Sequence, residues 1–346
     1  MYPVENLDLS HALALNPSWH IIDNSPIKTL TLAMENPQPE SLETVWHYPL
    51  YWHGYLVILK PALIFFPLSD LRILNLYLQL FLIATALILF YKKVGLLEMY
   101  AFLLAVAVIN PVTTAMNFQN SDIFYIMLLS TIFILLKNEF LLRGNNYIYF
   151  FLIIGIVTAF LDFLTYPVTA FDISLCVCML MNKKFFFSSN PVEVLKKLAA
   201  YAFAWGFGYG GMWIGKWIVA TTKDLNVFRS AINRIAYRSS QEEGGLTFTT
   251  LDVFKQNFDT LLSEPFPIIL SILTIFLLYM LIVNRQKFHV TKSMALTFLF
   301  IAVLPFIWYA ALKNHSYVHN FFTYRNLSIA LFGLTCFFIE SLREEN

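Results

Sequence analysis

Apolar residues in this chain come in long runs separated by short polar connectors. Nine runs stand out, at about 72–91, 97–116, 122–137, 147–164, 167–182, 198–219, 265–284, 293–312 and 326–342. A helix that crosses the hydrocarbon of a bilayer needs ~20 mostly apolar residues, and it satisfies its own backbone there. The pattern predicts an all-α, polytopic membrane protein of about nine transmembrane helices. The runs 147–164 and 167–182 meet at Tyr166 and Pro167, which predicts a tight helical hairpin. Residues 53–68, "HGYLVILKPALIFFPL", are also apolar, but Lys60, Pro61 and Pro67 interrupt them. That segment is expected to lie at the membrane interface or to re-enter it.

Composition agrees with this class. Hydrophobic residues fill 58% of 346 positions and charged residues only 13%, too few to give a soluble chain its polar surface. A net charge of +1 argues against a nucleic-acid partner. Cys176, Cys178 and Cys336 all fall inside apolar runs and read as packed thiols rather than disulfide partners or metal ligands.

Lys and Arg set the orientation. One set of connectors carries Lys92, Lys93, Lys137, Arg143, Lys183, Lys184, Lys196, Lys197, Arg285, Lys287 and Lys292, while the opposite short loops carry none. The basic side is therefore expected to be cytoplasmic, with the C-terminus. The chain then divides into an outer segment 1–71 ending in the interfacial stretch, helices over 72–219, an outer amphipathic element 220–264, and the last helices with a cytoplasmic tail over 265–346. An outer N-terminal segment with no span before it predicts that a first span of a ten-span parent is missing upstream, with translocation of the whole segment by the first span as the alternative.

Polar chemistry gathers on the outer side. His11, His20, His47, His53, His315 and His319 fall there, as do Asp122, Asp162 and Asp172 at or near span ends. Asp122, following a polar loop, reads as a helix N-cap. Asp162 ends a helix where the macrodipole disfavours an anion, so a partner from the loop 313–325 is expected within hydrogen-bonding reach. The segment "LNVFRSAINRIAY" carries an apolar stripe through Leu225, Phe228, Ile232 and Ile235, and "LDVFKQNFDTLL" repeats it. Two amphipathic helices of this kind would roof a cavity. Glycines 206, 210, 211 and 215 form small-xxx-small pairs that predict close helix packing, with a substrate groove as the alternative. His315 and His319 would share one side of a helical turn, without a nearby acidic residue to complete a metal set.

The stretches "HYPLYWHGYLVILKP", "FLDFLTYPVTAFDISL" and "NHSYVHNFFTYRNLSI" resemble signature stretches of a family of bacterial multi-spanning membrane proteins. That family is similar to the GT-C glycosyltransferases, which take sugars from polyprenyl-phosphate carriers at the outer membrane face. The resemblance implies a GT-C-like fold, a lipid-linked sugar donor, and membrane lipid as the surrounding partner. It implies Asp23 as base, with Glu5 and Asp8 as other acidic candidates, and Asp162 orienting His315 or the acceptor. His53, Lys60, His315, His319, Tyr324 and Arg325 would hold the lipid phosphate. No cofactor or metal set is implied; a divalent cation is left open, as is the oligomeric state. The adjacent carboxylate pair common in GT-C enzymes is absent here. A lipid-linked glycan transporter or flippase and a non-catalytic membrane assembly protein are the competing readings.

Overall fold

The computed structural model describes residues 49–223, 226–263 and 288–343, the short strands β1 (Pro17–Trp19) and β2 (Val45–His47), and isolated positions in 28–31 and 268–283. β1 and β2 pair antiparallel. Almost everything else described is helical, as the long apolar runs predict. Asp23, Glu5, Asp8 and most of the run 265–284 lie outside the described residues.

Helix α1 (Leu56–Phe65) contains Pro61 and buries none of its residues, as suits an interfacial segment. Helix α2 (Leu68–Lys93) ends on Lys92 and Lys93, cations that complement the negative end of its dipole. The run 97–116 is not one helix. It breaks into α3 (Leu96–Ile109) and α4 (Pro111–Met116) at Asn110, whose φ is 61°. Asparagine tolerates that left-handed conformation, and Pro111 then opens the next helix where its missing N–H costs nothing.

Helix α5 (Phe118–Leu141) starts earlier than its apolar run, because the Asn117 side chain accepts from the Gln119 N–H and caps it. Asp122 therefore lies one turn inside the helix and is not the N-cap expected from the sequence. The hairpin is present, formed by α6 (Asn146–Leu161) and α7 (Val168–Met181) with the connector 162–167 between them. After the short α8 (Lys183–Ser188), α9 (Pro191–Thr221) runs for 31 residues from an Asn190 cap.

The segment 220–264 folds as α10 (Val227–Ser239), a two-strand hairpin of β3 (Glu242–Glu243) and β4 (Leu246–Thr247), and α11 (Thr250–Leu261). Gly244 and Gly245, at φ 55° and 85°, supply the left-handed pair that a two-residue hairpin turn requires. The chain then continues as α12 (Lys292–Ala311), α13 (Lys313–Val318), α14 (Asn320–Thr323), a 3-10 turn over Tyr324–Asn326, and α15 (Leu327–Ser341).

Four described helical stretches are long and apolar enough to cross a membrane: Leu68–Lys93, Phe118–Leu141, Lys292–Ala311 and Asn320–Ser341. The shorter α1, α3, α6 and α7 are apolar as well. Large apolar side chains such as Phe81, Phe203, Phe207 and Ile307 are exposed on the outside of the bundle. Such a surface suits lipid and not water.

Helix α7 is the centre, buried at every position from Val168 to Leu180. A largely apolar helix buried on every face belongs inside other helices. The closest backbone approach involves Gly155 of α6 and Gly208 of α9: a Cβ on either would collide with the other helix's backbone. This overturns the expectation for Gly206, Gly210, Gly211 and Gly215, where an added Cβ meets open space. The spacing pattern pointed to the right helix and the wrong glycines.

Candidate functional site

Asp162 ends α6 fully buried, and its carboxylate is satisfied by its own connector. It accepts from the Leu164 N–H at 2.9 Å, from the Thr165 N–H at 3.0 Å and from the Thr165 hydroxyl. These donors offset the unfavourable helix end. The connector they shape is strained: Leu164 sits at φ 75°, a conformation that costs a non-glycine residue about 1–2 kcal/mol. The Leu164 carbonyl in turn meets Nε2 of His315. So the loop 313–325 does reach the Asp162 connector, though through a backbone carbonyl and not through the carboxylate.

The loop 313–325 itself is not an exposed connector. It is a chain of short helical turns driven into the protein, with Asn314, His315, Ser316, Thr323, Tyr324, Arg325 and Asn326 buried. Helix α11 holds it from outside: Asn257 donates to the Ser316 carbonyl at 2.9 Å and accepts from the Thr323 hydroxyl at 2.7 Å. His315 and His319 do share one side of a turn, with ring centroids 4.9 Å apart. Their nitrogens point to different tasks. His315 donates from Nε2 to Leu164, whereas His319 Nε2 accepts from Arg238 at 3.0 Å. Burial lowers His315 to about 3, and burial with the adjacent Arg238 lowers His319 to about 4, so both rings are neutral near pH 7. No group of three or more metal-ligating side chains occurs among the described residues.

Arg325 is likewise committed. It donates from Nε to the Ile109 carbonyl at 2.8 Å, from Nη1 to Phe321 O at 3.1 Å and from Nη2 to Thr113 Oγ1 at 3.1 Å. The carbonyl freed where α3 breaks is thus satisfied from the far end of the chain. Tyr324 packs 4.9 Å from that guanidinium in the same buried cluster. Both residues hold the fold together and neither presents a free anion site. Lys60 lies on the exposed face of α1, apart from these groups.

Two cavities flank the Asp162 connector. The larger, about 660 Å³, runs between α1, α2, α5 and α6, with walls of Leu, Ile, Val and Phe. Its polar end is Tyr55, Asn75, Ser121, Asp122 and Tyr125. Asn75 donates to Ser121 Oγ at 2.8 Å and accepts from the Tyr125 hydroxyl at 2.5 Å. Asp122 stands beside this network with Oδ2 buried and without a partner among the described residues.

The second cavity, about 390 Å³, lies under α10. Tyr51, Tyr209, Trp213, Trp217 and Trp308 line it, with Arg234 and Arg238 at its edge. From α10, Ala231, Arg234, Ile235 and Arg238 line this cavity, and Phe228 packs its ring 6.1 Å from Trp217. Gly210 also lines this cavity. Phe163 stands between the two spaces, its ring centroid 6.0 Å from Tyr51 on one side and 6.3 Å from Tyr55 on the other. His53, held at φ 52°, packs its ring 5.1 Å from Phe163. Two strained non-glycine residues, His53 and Leu164, therefore sit at this partition, a place where strain is commonly stored for function.

Sequence reasoning missed three residues here. Asp122 was masked by a plausible cap, and Arg234 and Arg238 lie off the apolar stripe of α10, where the sequence pattern marks only a polar helix face. A fourth, Lys216, is fully buried in α9, 5.1 Å over the Trp52 ring. A lone lysine within a glycine- and tryptophan-rich apolar run was the available signal. Comparison of the chain with protein-family models, with curated proteins and with solved structures returns no match.

Proposed function

We propose that this protein is a membrane transferase that moves a sugar from a polyprenyl-phosphate carrier to a hydroxyl acceptor at the outer face. The observation that carries this reading is the pair of unlike cavities on either side of Phe163. One is aromatic with arginines at its edge, suited to a sugar ring against Trp and Tyr and a phosphate against guanidinium. The other is an apolar slot ending at Asp122, whose buried Oδ2 has no partner among the described residues, and it suits a lipid-borne acceptor.

In this scheme Asp122 takes the proton from the acceptor hydroxyl, and the oxygen attacks the anomeric carbon. The bond from that carbon to the carrier phosphate breaks, and the phosphate leaves with the electron pair. Arg234 and Arg238 stabilise its charge. Arg238 brings a buried Nε–H with no acceptor among the described residues. Among the described carboxylates Asp122 fits the role of base; Asp162 is occupied in holding its connector.

The test is transfer from a short-chain polyprenyl-phosphate sugar by the purified protein. Asp122→Asn should remove activity by at least ~100-fold, the lower range for a general base, while preserving the folded state. Wild-type protein that neither binds polyprenyl phosphate nor transfers sugar sinks the reading. A second reading, transport of a lipid-linked glycan, is favoured by Asp172, which is fully buried in α7 with both carboxylate oxygens unpartnered among the described residues. Asp172→Asn abolishing translocation in vesicles, with Asp122→Asn silent, would select it.

A further inference from the structure

The lysine-rich end of the bundle, opposite the two cavities above, contains a third. It measures about 600 Å³ and opens between α7, α8 and α9. Lys183, Lys184 and Lys197 line it, and no acidic residue does. Part of its wall is apolar, through Leu142, Met181 and Phe185.

The charges around it do not cancel. Lys183 bonds Glu340 at 2.6 Å and Glu98 at 3.2 Å, and Arg343 closes on the same two carboxylates. That cluster holds two cations and two anions and is neutral as a unit. Lys184 and Lys197 are left over: neither has a carboxylate partner among the described residues. Lys197 lies 5.5 Å over the Tyr201 ring, which fixes its ammonium beside the cavity. Asn182 in the cavity lining is neutral and bonded amide to amide with Asn138 behind it.

We infer that this cavity binds the phosphate of an anionic phospholipid, with Lys184 and Lys197 on the phosphate oxygens and the upper acyl chains against Leu142, Met181 and Phe185. Two uncompensated ammoniums attract an anion, and an apolar wall favours a ligand that brings its own hydrocarbon. Basic pockets between helices at the cytoplasmic end of a bundle recognise lipid head groups in this way. The site is independent of sugar transfer and stands if that reading fails.

Native mass spectrometry of the full chain, released from mixed micelles of phosphatidylglycerol and phosphatidylcholine, tests it. The wild type should retain phosphatidylglycerol selectively, and Lys184→Gln with Lys197→Gln should weaken retention by about tenfold or more. Lys196→Gln, at an exposed neighbour outside the cavity, removes one charge, as each cavity substitution does, and should change nothing. The thermal transition measured without added lipid should be the same in all variants, which separates binding from folding. Equal losses in Lys196→Gln and the cavity variants would overturn the site in favour of diffuse attraction. Inorganic phosphate that displaces the lipid and protects equally well would overturn the assignment to a phospholipid.

Discussion

His315 donates its Nε2 hydrogen to the carbonyl oxygen of Leu164, a residue 151 positions earlier in the chain. The bond couples two segments that each hold a site wall. Leu164 belongs to the connector shaped by Asp162, and His315 shares a turn with His319, the partner of Arg238. One imidazole hydrogen thus sets the spacing between the Phe163 partition and the arginine roof.

That arrangement requires neutral histidines, and it gives the fold a pH dependence. His315 is lowered to about 3 by burial, and His53 and His319 to about 4 by burial and the nearby cations Lys216 and Arg238. Unfolded, each titrates near 6.5. The unfolded chain therefore binds more protons between those values, and stability falls as pH falls. The His315 share of the unfolding midpoint in detergent, read as wild type minus His315→Asn across pH, should be level above about pH 6.5 and decline toward pH 4, while the Asp162 carboxyl, raised by burial, works in the opposite sense. His315→Asn should cost on the order of 1 kcal/mol at pH 7. An unchanged pH profile in that variant would mean the imidazole is not kept neutral by the fold.

Gly208 and Gly210 should part company. Gly208→Leu drives a side chain into the Leu152 backbone of α6 and should abolish the folded yield. At Gly210 an added Cβ meets no atom within 4 Å, so Gly210→Leu should fold and its side chain should shrink the aromatic cavity. Fluorescence-detected size exclusion reads the first outcome, and binding of a polyprenyl phosphate reads the second. Equal yields in both variants would refute the Gly155–Gly208 contact.

Asp162 is predicted to act on stability and not on chemistry. Asp162→Asn replaces one acceptor oxygen with a donor facing the Leu164 and Thr165 N–H groups. The loss should be about 1–3 kcal/mol, seen as a lowered unfolding temperature. Activity per folded molecule should stay within about twofold of wild type, in contrast to Asp122→Asn. Loss of all activity from a fully stable Asp162→Asn protein would restore a chemical role for it.

The all-α class and four long apolar helices were legible because lipid demands long apolar runs. The α6–α7 hairpin followed from Tyr166–Pro167, and α10 as a helix from its apolar period. What escaped was set by contacts across the chain. The break at Asn110 falls inside an apolar run, and only its φ of 61° reveals it. The glycines that matter depend on which face of α9 meets α6, which spacing alone does not fix. Arg325 looked like an anion ligand because its acceptors, Ile109 O and Thr113 Oγ1, lie more than 200 residues away.

The reach of Arg325 to Ile109 has a consequence for how the chain is made. Helix α3 emerges from the ribosome early, with its break and its open carbonyl already written into Asn110 and Pro111. The side chain that closes that gap is synthesised only after α12 and most of the protein. Until then the early helices sit in the bilayer with an unfulfilled polar group, which favours waiting, guarded intermediates over immediate assembly. A chain that stops short of residue 325 should insert its first helices and still be recognised as unfinished by membrane proteases, however complete its core appears.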